Sequence, residues 1–72
     1  MYLGGTVPPR LGTVIRTLRE AKGLSQVELA KRAKLARPYL IRLESGQQKN
    51  PSLVLLKRLA KALGVPVTQL LE

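Results

Sequence analysis

The chain has 72 residues with no cysteine and no histidine, so it is too short for two domains and lacks the usual ligands of a zinc site. Its four glutamates are spread too widely to predict a metal cluster, and without a histidine, a cysteine or a close acid pair we expect no catalytic residue, cofactor or small-molecule ligand. Thirteen lysines and arginines give a formal net charge of +9, which favours a polyanionic partner, with nucleic acid ahead of an anionic membrane surface.

The remaining composition favours a helical globular protein. Hydrophobic residues make up 44% of the chain, leucine is the commonest of them, and two tyrosines are the only aromatic residues. Such a composition suits packed helices better than a small β-barrel. No apolar run is long enough to cross a membrane, and the start of the chain does not resemble a signal peptide. We therefore expect an all-α cytoplasmic protein that does not bind membranes.

Residues 1–8 contain two glycines and a proline without apolar periodicity, which predicts a flexible arm ahead of a domain at 9–72. The first helix is predicted over residues 9–22, with Pro9 in its first turn and Gly23 as the left-handed residue after it. Its apolar residues share one helical face. They are Leu11, Val14, Ile15 and Leu18.

A second helix is predicted from Ser25 to about Ala33. Ser25 and Glu28 have the spacing of a capping box, in which each satisfies a backbone N–H of the other residue. Leu24 and Leu29 have the spacing of a hydrophobic staple around this cap. The helix start is therefore predicted more firmly than any other in the chain.

A third helix follows after a turn at residues 34–36, with Pro38 in its first turn and Gly46 at its end. A polar loop at 47–51 then leads to a fourth helix, which is capped by Ser52 and ends at Gly64. A last short turn at 66–71 closes the core and makes the fifth helical segment. The predicted architecture is a compact five-helix bundle.

The second and third helices with their three-residue turn have the outline of a helix-turn-helix. Ala30 lies where the two helices must approach closely, so a large side chain would clash there. The residues predicted to face inward are Leu29, Ala33, Leu35, Leu40 and Leu43. The residues left on the outer face of the third helix are Arg37, Pro38, Ile41, Arg42 and Ser45.

Residues 11–71 resemble the phage-repressor and Cro family of helix-turn-helix proteins, also called the Xre family. The resemblance rests on LREAKGLSQVELAKRA, YLIRLESGQQKNPSLVLLKRLAKALGV and QLL, which follow one another in the family's order. It implies a lambda-repressor-like domain that binds double-stranded DNA as a homodimer, at least on DNA, and regulates transcription, here as a repressor.

The resemblance also implies roles for individual residues. Gln26 and Ser25 match positions that hold a DNA phosphate, while Arg37, Pro38 and Arg42 match positions facing the bases. The positions that follow the DNA backbone after the third helix are Ser45, Gln47, Gln48 and Lys49. Finally, Arg19 and Glu44 match an ion pair that ties the first helix to the end of the third.

Physical chemistry gives these assignments independent support. An arginine at the start of a recognition helix can bond guanine through O6 and N7, and the amides that begin a helix suit a phosphate. Ile41 is an apolar residue on an outer face, so it fits either a thymine methyl or a protein contact. We expect Tyr39 to brace the third helix. Five further basic residues are expected on solvated faces, and they are Lys31, Arg32, Lys57, Arg58 and Lys61.

Three residues depart from the family pattern. Ala36 replaces a capping Ser or Thr, Lys34 replaces a turn glycine and predicts strain at positive φ, and Pro38 offers no polar group to a base. The recognition surface is therefore arginine, proline and isoleucine rather than the amide-rich surface of several relatives, so we carry over no relative's preferred DNA sequence.

Two other functions remain as alternatives. The first is a protein-interaction module on the same fold, such as a toxin-neutralising partner, that uses Ile41 or a patch of Val67, Leu70 and Leu71. The same patch is the predicted dimer interface. The second is RNA binding, which the scarcity of aromatic residues disfavours because they supply stacking surfaces for unpaired bases.

Overall fold

The computed structural model describes residues 10–71, which form four α-helices and a final 3₁₀ turn without a β-strand in that range. The elements are α1 (Leu11–Ala21), α2 (Gln26–Ala33), α3 (Arg37–Ser45), α4 (Leu53–Leu63) and the 3₁₀ turn Val67–Leu70. The all-α prediction is confirmed. The count of five helices is not confirmed, because the fifth segment is a single 3₁₀ turn. The predicted arm at 1–8 and the predicted position of Pro9 lie outside the described residues.

The helix starts follow local capping chemistry. The Ser25 hydroxyl accepts a hydrogen bond from the Glu28 N–H at 3.1 Å, and the Ser25 N–H donates to Glu28 Oε1 at 2.8 Å. The Ser52 hydroxyl accepts from the Leu55 N–H at 3.2 Å at the start of α4. Both caps are confirmed. Helix α3 begins after Ala36 without a side-chain cap, as the departure at this position predicts.

The helix ends are marked by left-handed residues. Gly23, Gly46 and Gly64 have positive φ, and Lys34 is the one non-glycine residue with positive φ within 10–71, at 58°. The turn between α2 and α3 occupies residues 34–36, as predicted. Lys34 therefore adopts the strained conformation that the sequence predicts for it.

One apolar core joins all the helices. Helix α3 packs against α1 and α2, α4 packs against α2, and the 3₁₀ turn packs against α4 and α1. The largest fully buried side chains are Ile15, Leu29, Leu40, Leu43, Leu56, Leu59, Leu63 and Leu70. The inward positions predicted for α2 and α3 are buried, except that Leu35 is only half-buried.

The close approach of α1 to α3 depends on a glycine that the sequence patterns do not single out. A Cβ on Gly12 would lie 2.4 Å from the Leu43 carbonyl oxygen and 2.6 Å from that of Glu44. These distances leave no room for any other side chain. Gly12 therefore sets the distance between α1 and the C-terminal end of α3.

The predicted interface patch at the end of the chain needs a correction. Leu70 is fully buried in the core, so it cannot be part of a contact surface. The cause is its position on the 3₁₀ turn, which directs it between α1 and α4. Val67 and Leu71 are half-buried.

None of the described helices has the length and apolar character that a bilayer crossing requires.

Candidate nucleic-acid interface

The N-terminal end of α2 is held by its capping box. The backbone N–H of Ser25, and after it the Ser25 hydroxyl, lowers the pKa of Glu28 by hydrogen bonding to its ionised carboxylate. The first-turn amides that remain carry the positive end of the helix dipole. Gln26 is the first residue of this helix and is half-buried. This helix start therefore has the geometry that suits an anion, although the carboxylate of Glu28 lies on the same turn.

A nearly buried polar network ties this helix start to α1 and α3. Arg19 donates from Nε to Glu44 Oε2 at 2.7 Å and from Nη2 to Glu44 Oε1 at 3.0 Å. A third bond runs from Arg19 Nη1 to the Leu24 carbonyl at 2.9 Å. Gln26 Nε2 also donates to Glu44 Oε1, at 3.1 Å. The end of α3 is thus fixed both to α1 and to the residue that begins α2.

The low exposure of the pair makes this network costly to break, because the partner left behind would be a nearly buried charge. The Arg19 and Glu44 side chains are only 11% and 5% exposed. Hydrogen bonding to Glu44 raises the pKa of Arg19, and burial opposes that effect. The network also sets the direction of Gln26, because its amide NH₂ faces Glu44 and one N–H stays available to a further acceptor.

The outer face of α3 carries the side chains predicted for it. Arg37, Pro38, Arg42 and Ser45 are exposed, and Ile41 is 40% exposed although it is apolar. The Arg42 guanidinium lies 5.9 Å from the centroid of the Tyr39 ring, at the outer limit of a cation–π contact. This half-buried tyrosine packs against the core, as predicted.

The loop after α3 folds back on the helix. The Gln48 N–H and the Ser45 hydroxyl both donate to the Arg42 carbonyl, at 3.0 Å and 3.1 Å. Gln48 is half-buried, while Gln47 and Lys49 are exposed. The loop therefore starts on the same side of the molecule as the last turn of α3.

A groove of about 340 Å³ brings part of the predicted site together. It is lined by Arg16, Arg19, Gln26, Ile41, Glu44 and Ser45. Arg37 and Pro38 lie outside it, at the other end of α3. Arg16 is a new candidate that the sequence patterns do not identify. Its position three residues before Arg19 on α1 was the available signal, since residues at that spacing share a helix face.

Arg58 is exposed, as predicted, and it also makes two contacts that the sequence does not predict. It donates from Nε to the Ala33 carbonyl at 3.0 Å and from Nη2 to the Lys34 carbonyl at 2.7 Å. Carbonyls at a helix C-terminus lack intrahelical donors, which is why they attract a cation.

Between residues 10 and 71, no three potential metal ligands of the His, Cys, Asp or Glu types converge.

Comparisons with known proteins agree with this geometry. The family described as Helix-turn-helix matches residues 15–70. The immunity repressor protein of Bacillus phage phi105 is 41% identical over 58 residues, which cover 81% of this chain and 40% of the repressor. The regulator SinR of Bacillus subtilis (strain 168) is 39% identical over 62 residues, covering 86% of this chain and 56% of SinR. The chain thus spans about half the length of these curated relatives.

Solved structures show the same fold. The restriction-modification controller protein C.AhdI from Aeromonas hydrophila superposes with a TM-score of 0.81 at 44% identity, covering 86% of this chain and 92% of that one. SinR, described as the master regulator for biofilm formation and solved in complex with DNA, superposes with a TM-score of 0.77 at 38% identity. That superposition covers 79% of this chain and 90% of the SinR chain. The resemblance predicted from the sequence is confirmed, and the chain belongs to the helix-turn-helix family of phage-repressor and Cro type.

Proposed function

We propose that the protein binds double-stranded DNA sequence-specifically, with α3 in the major groove, and regulates transcription by occupying an operator as a repressor. The observation that carries this proposal is the outer face of α3. It presents the exposed side chains of Arg37 and Arg42, and the groove at its C-terminal end holds a half-buried Gln26 that is hydrogen-bonded to Glu44. Support comes from the likeness to SinR, which was solved in complex with DNA, and from the phage immunity repressor.

The proposed roles follow from where each residue lies. Arg37, Pro38, Ile41 and Arg42 face the bases, where arginines contact guanine edges and Ile41 contacts a thymine methyl. Arg16 and Gln26 bind phosphates from the groove beside α3, and Ser25 holds the helix start whose amides face the same backbone. The remaining phosphate contacts come from the end of α3 and the loop after it, and they are Ser45, Gln47, Gln48 and Lys49.

We further propose that two copies bind one palindromic site. Two recognition helices then lie about 34 Å apart, one turn of DNA, in successive major grooves. Val67 and Leu71 stay in the proposed interface because each keeps part of its surface exposed, whereas Leu70 is withdrawn from it. Sedimentation with and without DNA measures the stoichiometry directly.

Selection from a randomised duplex library tests the central proposal. The wild-type chain should enrich a two-fold symmetric sequence, and Arg37→Ala and Arg42→Ala should each relax the preference at separate base pairs by about 1–3 kcal/mol. Lys57→Ala is the matched control, since it removes one exposed charge from α4. Unchanged affinity and preference in both arginine variants would show that the recognition surface is wrongly assigned.

A protein-interaction module on the same fold is the second candidate function. The observation that favours it is Ile41, an apolar side chain left 40% exposed on α3. If the native protein co-purifies with a stoichiometric partner and Ile41→Gln abolishes that complex while DNA selection enriches nothing, this function replaces the first. RNA that outcompetes duplex DNA at equal salt would point instead to RNA binding.

A further inference from the structure

Three of the four helices end with the same hydrogen-bond pattern. In two of them the left-handed residue is a glycine, but in the third it is a lysine, for which that backbone conformation is disfavoured. In each, a backbone N–H just past the helix reaches back five residues to a helical carbonyl, over a left-handed residue. These bonds are Leu24 N–H to Arg19 at 3.1 Å, Leu35 N–H to Ala30 at 2.8 Å and Val65 N–H to Ala60 at 3.0 Å. The left-handed residues are Gly23, Lys34 and Gly64, respectively.

Lys34 is disfavoured in this role. Its φ of 58° and ψ of 47° bring its Cβ close to the following carbonyl, a contact that glycine does not have. The conformation therefore depends on neighbours that hold it. Lys34 also begins the turn that leads into α3, so any loosening here changes where the recognition helix starts.

Arg58 holds this turn from α4. Its guanidinium bonds two consecutive carbonyls, those of Ala33 and Lys34, which lie 25 and 24 residues away in sequence. At the two glycine ends, no side chain within 10–71 donates to the last helical carbonyl or to that of the left-handed glycine. Arg19 does donate to the Leu24 carbonyl just after Gly23, but only at the Lys34 end does one side chain bond both the last helical carbonyl and that of the left-handed residue.

An arginine is well suited to this double contact. A guanidinium is a planar fork whose Nε and Nη2 protons point in fixed directions, so one side chain can bond two neighbouring acceptors. A lysine at this position has a single nitrogen and a more strongly hydrated charge.

We propose that Arg58 is a positioning residue for DNA recognition, one that holds the left-handed Lys34 turn and thereby sets where α3 and its Arg37 begin. The proposal rests on the DNA-binding function above for its effect on recognition. Its structural part, the clamp on the turn, stands apart from that function and can be measured without DNA.

Hydrogen exchange of the Leu35 amide tests the clamp itself. In Arg58→Met, this amide should lose about fivefold protection, as expected when a charge-assisted hydrogen bond at a partly exposed site is removed. The buried Leu59 amide is the reference for global unfolding. Arg58→Lys should behave like Arg58→Met although it keeps the charge, and Lys57→Met should leave Leu35 unchanged.

DNA discrimination tests the positioning role. The probes are a duplex selected by the wild-type chain from a randomised library and a random-sequence duplex of equal length. Arg58→Met should lower the ratio of the two affinities about fivefold, while Lys57→Met lowers both affinities alike and keeps the ratio. In a Lys34→Gly background, the effect of Arg58→Met on the ratio should shrink to less than twofold, because glycine needs no clamp.

Hydrogen exchange and DNA discrimination together distinguish a failure of the clamp, of the positioning role and of the DNA-binding function. Leu35 protection that falls only in step with Leu59 in Arg58→Met would overturn the clamp, whatever happens with DNA. Lost local protection with an unchanged affinity ratio would overturn the positioning role. If the wild-type chain selects no duplex at all, the DNA-binding function fails, while the exchange result still decides whether Arg58 holds the turn.

Discussion

Arg16 and Arg19 lie one turn apart on α1 and form ion pairs in very different surroundings. Arg16 bonds Glu20 at 3.3 Å with both side chains more than half exposed, whereas the Arg19–Glu44 pair is nearly buried. An exposed pair contributes little because water screens both charges, but a buried carboxylate that loses its partner keeps its full desolvation penalty. Two substitutions on one helix face therefore have unequal consequences.

We expect Arg19→Met to lower the free energy of unfolding by about 3 kcal/mol and Arg16→Met by less than about 0.5 kcal/mol. Methionine keeps the apolar stem in both cases, so the difference reports the charge and its hydrogen bonds. Urea denaturation followed by circular dichroism measures both variants. Equal midpoints would show that the Glu44 network does not hold α3 in place.

The substitution Gly12→Ala allows an equally specific prediction that involves no charged group. Alanine favours a helix over glycine by at most about 1 kcal/mol at a position such as Gly12, in the first turn of α1. At this position the new Cβ would meet two backbone carbonyls of α3 at less than 3 Å, so the helices must separate. We expect Gly12→Ala to lose about 2 kcal/mol or more in spite of its propensity gain. The exposed neighbour Thr13→Ala is the control in the same denaturation assay and should change stability only slightly.

At the scale of the element, the stability that the capping box gives to the start of α2 depends on pH. The pKa of Glu28 is lowered in the folded chain, so its ionised form is bound more favourably there than in the unfolded chain. This contribution is complete above the ordinary pKa of 4.5 and is lost as pH falls through the lowered folded value. The acid side of the stability profile therefore contains a component from the capping box.

Glu28→Gln isolates that component. Glutamine can still accept from the Ser25 N–H but does not titrate, so the melting temperature of the variant should lie below that of the wild-type chain at pH 7 and approach it below pH 4. Thermal melts followed by circular dichroism from pH 7 to pH 3 give the comparison. A constant difference between the two chains across this range would contradict the assignment.

The elements themselves are predictable because their signals are local. Ser25 with Glu28, Ser52, Gly46 and Gly64 each act within one turn of their own helix, so their effect can be inferred from spacing alone. The outer face of α3 follows from helical periodicity in the same way. Local signals do not predict the last segment correctly. In the sequence Leu70 is an apolar residue next to Leu71, and only the packing of the fold shows that it is buried.

At the scale of the whole molecule, the residues whose roles were not predicted make contacts between elements that are far apart in the sequence. Arg58 bonds carbonyls about 25 positions away, and Gly12 matters because α3 passes over it. Arg16 joins the candidate site only when α1 is placed beside Gln26 and Ile41. No sequence spacing predicts the Arg58 contact or the Gly12 approach, and for Arg16 the one signal is its spacing of three residues from Arg19. The candidate site is thus predictable for α3 and the start of α2, but not for what surrounds them.

The net charge of +9 attracts DNA at long range, while phosphate contacts determine how steeply affinity falls with salt. If Arg16 binds a phosphate, Arg16→Met should reduce the slope of log affinity against log salt concentration by about 1 and leave the selected sequence unchanged. Lys57→Met removes an equal charge from α4 and should keep the slope. The urea denaturation of Arg16→Met described above checks that a reduced affinity does not arise from unfolding. A slope identical to that of Lys57→Met would remove Arg16 from the interface and leave Gln26 as the contact from this groove.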